Sequence, residues 1–151
     1  MANDYADILN QSWDNIPKVQ VLPTGSWLLK LRNATYQPAA SEDKSPRVMF
    51  VYAPKEPMDD VESSDLEALG KNYDYSANRI FANFFVSDGA DWDKVRNHLA
   101  KHGVEVSGNI KESFEAAKGA EVVASLNPRS YQNNAGETVI DNNPTNFAKA
   151  E

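Results

Sequence analysis

Residues 79–86, RIFANFFV, constrain what this chain can fold into more than any other stretch. Side chains along a strand alternate between two faces. Ile80, Ala82, Phe84 and Val86 therefore share one face, which is wholly apolar and has to be buried. Arg79, Phe81, Asn83, Phe85 and Ser87 share the other. A core excludes arginine, and open solvent disfavours paired phenylalanines. Either the second face is a binding surface, or the N-terminal helix or a neighbouring acidic segment folds over Phe81 and Phe85. Arg79 and Asn83, interleaved with the rings, favour an accessible face.

The same alternation marks other strands. GSWLLKLRNAT, residues 25–35, sets Trp27, Leu29 and Leu31 against Leu28, Lys30 and Arg32, and Tyr36-Gln37-Pro38 ends it. RVMFVYAP, residues 47–54, lies between Pro46 and Pro54; its faces, Val48/Phe50/Tyr52 and Arg47/Met49/Val51, are too alike to orient. After the third strand, residues 78–87, the spacing of Trp92, Val95 and Leu99 predicts a helix over 92–102, with Asp91 as N-cap and Gly103 beyond its end. A second short helix, 109–118, carries Ile110, Phe114 and Ala117 and stops at Gly119. AEVVASL begins a fourth strand that turns at Asn-Ala-Gly into a hairpin-paired fifth. A short amphipathic helix is expected over 4–13, capped by Asn3 or Asp4.

The expected organisation is an N-terminal helix and connector (1–20), a domain over 21–141, and a flexible polar tail over 142–151. The fold class is mainly β, α+β. Three strands, a helix and two strands is the order of a five-stranded OB-fold-like Greek-key barrel with a helix between strands 3 and 4. A generic α+β roll shares the element count.

With 151 residues the chain suits one domain with a proper core. It has no cysteine, which excludes disulfides and thiolate metal sites. The start, MANDYADILNQSWDN, lacks the basic and apolar runs of a signal peptide, and no run is long enough to span a bilayer, so a cytoplasmic location without a membrane partner is expected. Net charge is −7, but residues 55–74 hold Glu56, Asp59, Asp60, Glu62, Asp65, Glu67 and Asp74 against Lys55 and Lys71, leaving about −2 for everything else. An acidic insert on a nearly neutral body results. Within it a short helix over 63–69 is expected, capped by Ser63 or Ser64 and closed by Gly70. The plain reading of the insert is a solvated loop that aids solubility.

Chemistry of other kinds finds little support. His98 and His102 have the i, i+4 spacing of metal ligands but no third ligand, and their place in the last turns of a helix favours partial positive charge against the dipole. Asp91 and Asp93 read as a cap and a first-turn acid. Asp59-Asp60-Val61-Glu62 lacks the glycine and ligand spacing of a calcium loop. KGAEVV leaves a helix for a strand, the reverse of a phosphate-cradling loop. No catalytic residue, cofactor or metal is expected, and the chain reads as a binding protein and not an enzyme. Aromatic rings interleaved with cations on an open barrel face suit a nucleic-acid single strand, with bases stacked on rings and phosphates on cations. The candidate nucleic-acid-binding residues are Lys30, Arg32, Tyr36, Arg47, Tyr52, Arg79, Phe81, Asn83, Phe85, Arg129 and Tyr131. The alternative is an interaction or assembly module in which Phe81 and Phe85 form a subunit interface, and a homodimer is compatible with either. A third reading, an acidic mimic of DNA, is weakened by the gathering of its acids in one segment.

LPTGSWLLKLRNATY, NRIFANFFVSDG, WDKVRNHLAKHGV and KGAEVVASLNPRSYQNNAGE together resemble, over residues 20–140, a group of small phage-encoded OB-fold proteins regarded as single-stranded-DNA-binding proteins of phage replication and recombination. The resemblance implies an open barrel that sheathes single-stranded DNA with little sequence preference, in a host cytoplasm, with the ligand around Lys30, Arg32, Arg47, Arg79, Phe81 and Arg129. Many single-strand-binding proteins end in an acidic tail that recruits replication partners. Here NNPTNFAKAE has one acid and one lysine, so recruitment of replication or recombination proteins falls to the acidic insert or is absent.

Overall fold

A computed structural model describes residues 9, 10, 12, 19–42, 44–106 and 108–150. The helix expected over 4–13 lies largely outside the described residues. Five strands, β1 (Gly25–Gln37), β2 (Arg47–Pro57), β3 (Ile80–Phe85), β4 (Glu121–Gln132) and β5 (Thr138–Lys149), form one antiparallel sheet in the order β3-β2-β1-β4-β5. The sheet curls until its two edges, β3 and β5, come into contact, which gives a barrel-like α+β architecture. Helices α1 (Ser63–Leu69), α2 (Gly89–Ala100) and α3 (Ile110–Ala117) complete it; α2 and α3, the two helices expected over 92–102 and 109–118, lie between β3 and β4.

The curl originates in two bulges. β1 pairs with β2 along its length, but Leu31 opposes Tyr52 while Asn33 opposes Val51, leaving Arg32 as an extra residue. Leu28 opposes Glu56 while Leu29 opposes Pro54, leaving Lys55 extra on β2. A bulge bends its strand and raises the local twist. Pro54 therefore does not end β2, which continues to Pro57; a proline is tolerated beside a bulge because the ladder is already interrupted.

β2 faces inward with Val48, Phe50 and Tyr52, all fully buried, and outward with Arg47, Met49 and Val51. Trp27, Leu29 and Leu31 of β1, Ile80 and Ala82 of β3, and Val122, Ala124 and Leu126 of β4 line the same interior. Val95 and Leu99 of α2 and Phe114 and Ala117 of α3 close one end. Each large apolar side chain so buried contributes about 1.5–3 kcal/mol. Phe50 is central: the rings of Tyr52, Phe84, His98, His102 and Phe114 lie 4.6–6.5 Å from it.

Tyr52 therefore leaves the candidate surface residues, and the histidine pair needs a different account. The Tyr52 hydroxyl lies 2.6 Å from His98 Nε2 and 2.8 Å from His102 Nε2, and His102 Nδ1 lies 2.9 Å from the His98 carbonyl. A carbonyl only accepts, so His102 carries its proton on Nδ1 and its Nε2 accepts from Tyr52. The Tyr52 oxygen then accepts from His98 Nε2–H. This chain of donors requires a neutral His102, whose Nε2 has to accept; the neutral state of His98 follows from its burial. Burial, aided by the charges of His102 and Lys101, pushes His98 down to about 3; His102 is also lowered by burial, against two backbone hydrogen bonds, and Tyr52 is raised by burial. The pair is thus core, not charge at a helix end.

Caps differ from expectation by small shifts. α2 starts earlier, with Asp88 as N-cap accepting from Asp91 N–H, while Asp91 accepts from Ser87 N–H. The N-cap of α1 is Glu62, without a side-chain cap bond, in place of Ser63 or Ser64. α3 is capped by Asn109, which accepts from Glu112 N–H. Gly103 and Gly119 take the left-handed conformation as helix stops.

Residues 142–149 are not a loose tail but the second half of β5. Asn142 is buried; its Oδ1 accepts from Leu22 N–H at 2.9 Å and its Nδ2 donates to the Leu22 carbonyl at 3.0 Å. Phe147 packs 4.6 Å from His98 and 5.5 Å from Tyr52, ring to ring. The acidic insert is likewise anchored and not merely solvated. Asp60 accepts from Ser26 N–H and Oγ–H, both at 2.9 Å, and Val61 presses so close to Gly25 that any Cβ there would collide with it. Neither the insert nor any other described element covers Phe81 and Phe85, which stay exposed.

The neutral histidines make stability pH-dependent in a defined window. His98 titrates near 6.5 when unfolded and near 3 when folded, so the unfolded chain binds the extra proton between those values. Stability is expected to be full above about pH 7 and to fall by up to about 1.4 kcal/mol per pH unit as pH drops below about 6.5. Urea midpoints that stay level from pH 7.5 to 5 would rule out a neutral buried pair. Tyr52→Phe leaves an acceptor on His102 and a donor on His98 unpaired and is expected to cost about 1–3 kcal/mol.

Candidate nucleic-acid interface

Three rows cross the outward side of β3, β2 and β1: Phe81–Val51–Asn33, Asn83–Met49–Thr35 and Phe85–Arg47–Gln37. Phe81 is 45% exposed and Phe85 61%, whereas their strand neighbours Ile80 and Ala82 are buried. At about 3.3 Å per residue the two rings are spaced roughly 13 Å along β3. Arg47 donates from Nε to Gln37 Oε1 at 2.9 Å, which fixes its guanidinium beside Phe85. Lys44, Arg47 and Phe85 also line a recess of about 380 Å³ at this end.

Arg79 stands at the other end of β3, where it donates to the Ser76 and Asn78 carbonyls at 2.7 and 3.2 Å. Past it opens a larger cleft of about 740 Å³, lined by Lys30 and Arg32 of β1, Lys55 of β2, and Tyr73, Asp74 and Ser76 of the segment returning from α1. Its floor is the bulged region, and two of its cations, Arg32 and Lys55, are the bulged residues themselves. Bulges recur where a side chain has to be re-aimed out of the alternation. Tyr73 is held in place by its hydroxyl, which accepts from Gln20 N–H at 2.8 Å and donates to Asn78 Oδ1 at 2.6 Å.

The structure thus brings Arg47, Phe81, Asn83 and Phe85 onto one face and Lys30 and Arg32 into the cleft beyond Arg79. Tyr36 stands apart from this face: it opposes Val48, and its ring stacks 6.1 Å from Trp92 of α2 while staying 48% exposed. Arg129 and Tyr131 sit on the part of the β4–β5 hairpin that extends past the β1 pairing, which ends at Leu126. There the Arg129 guanidinium lies 5.4 Å over the Tyr131 ring and pairs with Asp141 at 3.3 Å. Asp141 and Arg79 line one small recess, so the hairpin base borders the face. Lys55 was not anticipated, because Pro54 reads as the strand's end; its alternation with Arg47, Met49, Val51 and Ala53 was the available signal.

Among the described residues no group of three or more His, Cys, Asp and Glu is placed to share a metal ion, and no helix is long and apolar enough to cross a membrane. No protein-family model and no curated protein matches the chain.

Because Phe81 and Phe85 lie outside the core, Phe81→Ala and Phe85→Ala are each expected to change stability by less than about 1 kcal/mol, the scale of a cross-strand contact. Phe50→Ala should cost about 3–5 kcal/mol. Chemical denaturation of the three variants checks this, and a loss above about 2 kcal/mol at either exposed ring would place it in the core.

Proposed function

We propose that this chain is a non-enzymatic OB-fold protein that binds single-stranded DNA with little sequence preference, coating or protecting it in phage replication or recombination within the host cytoplasm. The observation that carries the reading is the exposure of Phe81 and Phe85 on a face that also holds Arg47 and Arg79. Exposed rings offer stacking platforms to any base, and neighbouring cations follow the phosphates, a combination that is indifferent to sequence. The strand order supports the fold assignment: with β3 touching β5, the five strands run round the barrel as 1-2-3-5-4, and oligonucleotides bind such barrels on the face of strands 2 and 3. The anchored insert still exposes Asp59, Glu62, Asp65 and Glu67, a surface suited to replication or recombination partners.

The test is a fluorescence-polarisation titration of labelled oligo-dT at several salt concentrations, with duplex of equal length as competitor. Binding is expected to resist duplex and to weaken with salt, log K falling by about 0.7 per phosphate contacted for each decade of salt. Phe81→Ala is expected to weaken binding about tenfold, in line with about 1–3 kcal/mol per stacked base, and Arg79→Ala to flatten the salt slope. Absence of binding at low salt would end this reading. A change in sedimentation coefficient of Phe81→Ala with DNA binding absent would instead assign the face to a subunit interface.

A further inference from the structure

We propose that the cleft at the two bulges receives the phosphodiester backbone of the strand as it leaves the aromatic face, and that Glu121 and Asp74 stand in or beside it as built-in competitors of those phosphates. The inference rests on the single-stranded-DNA reading and extends it to residues outside the aromatic face.

Three cations, Lys30, Arg32 and Lys55, converge on a cleft of about 740 Å³ whose wall includes Ser76, the residue to whose carbonyl Arg79 donates. Such a concentration of positive charge in a chain of net charge −7 selects a polyanion. Lys55 among them is not bare. Glu121 Oε2 lies 2.9 Å from Lys55 Nζ, reaching across β1 from β4. Asp74 lines the cleft and is pinned by Ser76, whose N–H and Oγ–H donate to its Oδ1 at 3.0 and 2.6 Å. Its carboxyl is held below the ordinary range, first by those Ser76 hydrogen bonds and then by the charges of Arg32 and Arg79. Glu121 thus occupies Lys55 as a phosphate oxygen would, whereas Asp74, its Oδ1 held by Ser76, acts on Arg32 and Arg79 through its charge.

A phosphate that enters the cleft has to displace Glu121 from Lys55, and the freed carboxylate gathers counterions again. Fewer ions are then released per contact than a bare lysine would give, and affinity and salt slope are both held down. A strand gripped in this way comes off readily, which suits a protein that has to yield its strand to other enzymes.

The experiment is oligo-dT titration across a salt series with Glu121→Gln, Lys55→Ala and the double variant, with Glu105→Gln, on the α2–α3 connection, as a control for the same change in net charge. Glu121→Gln is expected to tighten binding at low salt on the order of threefold or more and to steepen the salt slope by up to about 0.7. Lys55→Ala alone should have a small effect, and the double variant should lose the gain. Asp74→Asn, which keeps an acceptor for Ser76, should behave as Glu121→Gln does. The inference is overturned if Glu121→Gln matches the Glu105→Gln control, or if its gain persists without Lys55, since the effect would then be one of net charge alone. Wild-type binding that Phe81→Ala weakens but Glu121→Gln leaves unchanged removes the competitor model and spares the DNA reading. Failure of the wild type to bind removes both.

Discussion

Strand β2 ties the barrel interior to the candidate face, and the Tyr52 hydroxyl is the contact that fixes it. Val48, Phe50 and Tyr52 fill the core from below, while Arg47, Met49 and Val51 form the middle of the outer surface. A slip of one residue would exchange these two sets. Apolar burial alone discriminates weakly here, because Met49 and Val51 are nearly as acceptable inside as Val48 and Phe50. The hydroxyl supplies the missing selectivity. It has to meet Nε2 of both His98 and His102 within 2.8 Å, and no outward residue of β2 could satisfy those rings. A buried polar network that is fully satisfied in one arrangement, and unsatisfied in others, specifies register more sharply than packing does.

The bulges work in the opposite sense, by breaking alternation where the face needs charge. Trp27, Leu29 and Leu31 are inward at odd positions, and beyond Arg32 the even positions take over: Ala34 is buried, and Tyr36, though exposed, turns its ring to Trp92. Without the extra residue Thr35 would point into the core and Tyr36 away from Trp92. The same change of parity occurs on β2 at Lys55. One pair of insertions thus curls the sheet, retains its core and presents two cations at the mouth of the cleft.

These two devices also explain what could be read from the sequence. Element order from β1 onward, the helix stops at Gly103 and Gly119, and the two faces of β3 follow from local periodicity and turn chemistry, and all are seen in the structure. Errors trace to places where a distant partner decides. The two faces of β2 differ little in hydropathy, so Tyr52 was open to assignment on the surface; once it is inward, His98 and His102 have to be its partners. The second half of β5, with Asn142, Asn143, Pro144, Thr145 and Asn146 in succession, carries no apolar alternation. It is held because Asn142 bonds the Leu22 main chain 120 residues away and because Phe147 reaches the Tyr52 cluster. Asn146, with φ of 54°, occupies a left-handed conformation that asparagine tolerates better than most residues, close to the irregularity between Val123 and Ser125. No window of local sequence contains these contacts.

Net charge misleads for a related reason, because it adds groups that do not act on the same place. Most of the −7 belongs to residues 55–74, where Asp59, Glu62, Asp65 and Glu67 are exposed. At physiological ionic strength the Debye length is about 8 Å, so exposed acids farther than that from a phosphate contribute little to its energy. What a strand bound on the outer face as proposed would encounter is set by Arg47, Arg79, Lys30, Arg32 and Lys55, less whatever Glu121 and Asp74 withdraw from them. Segregation of the acids lets the chain keep the self-repulsion that opposes aggregation while its local field stays open to a polyanion. Lower salt lengthens the reach of the insert, so its acids oppose binding most under the conditions in which the cations attract most strongly. The salt dependence of this face is therefore expected to be shallower than a count of its cations implies, and the acids nearest to those cations, Glu121 and Asp74, dominate the difference.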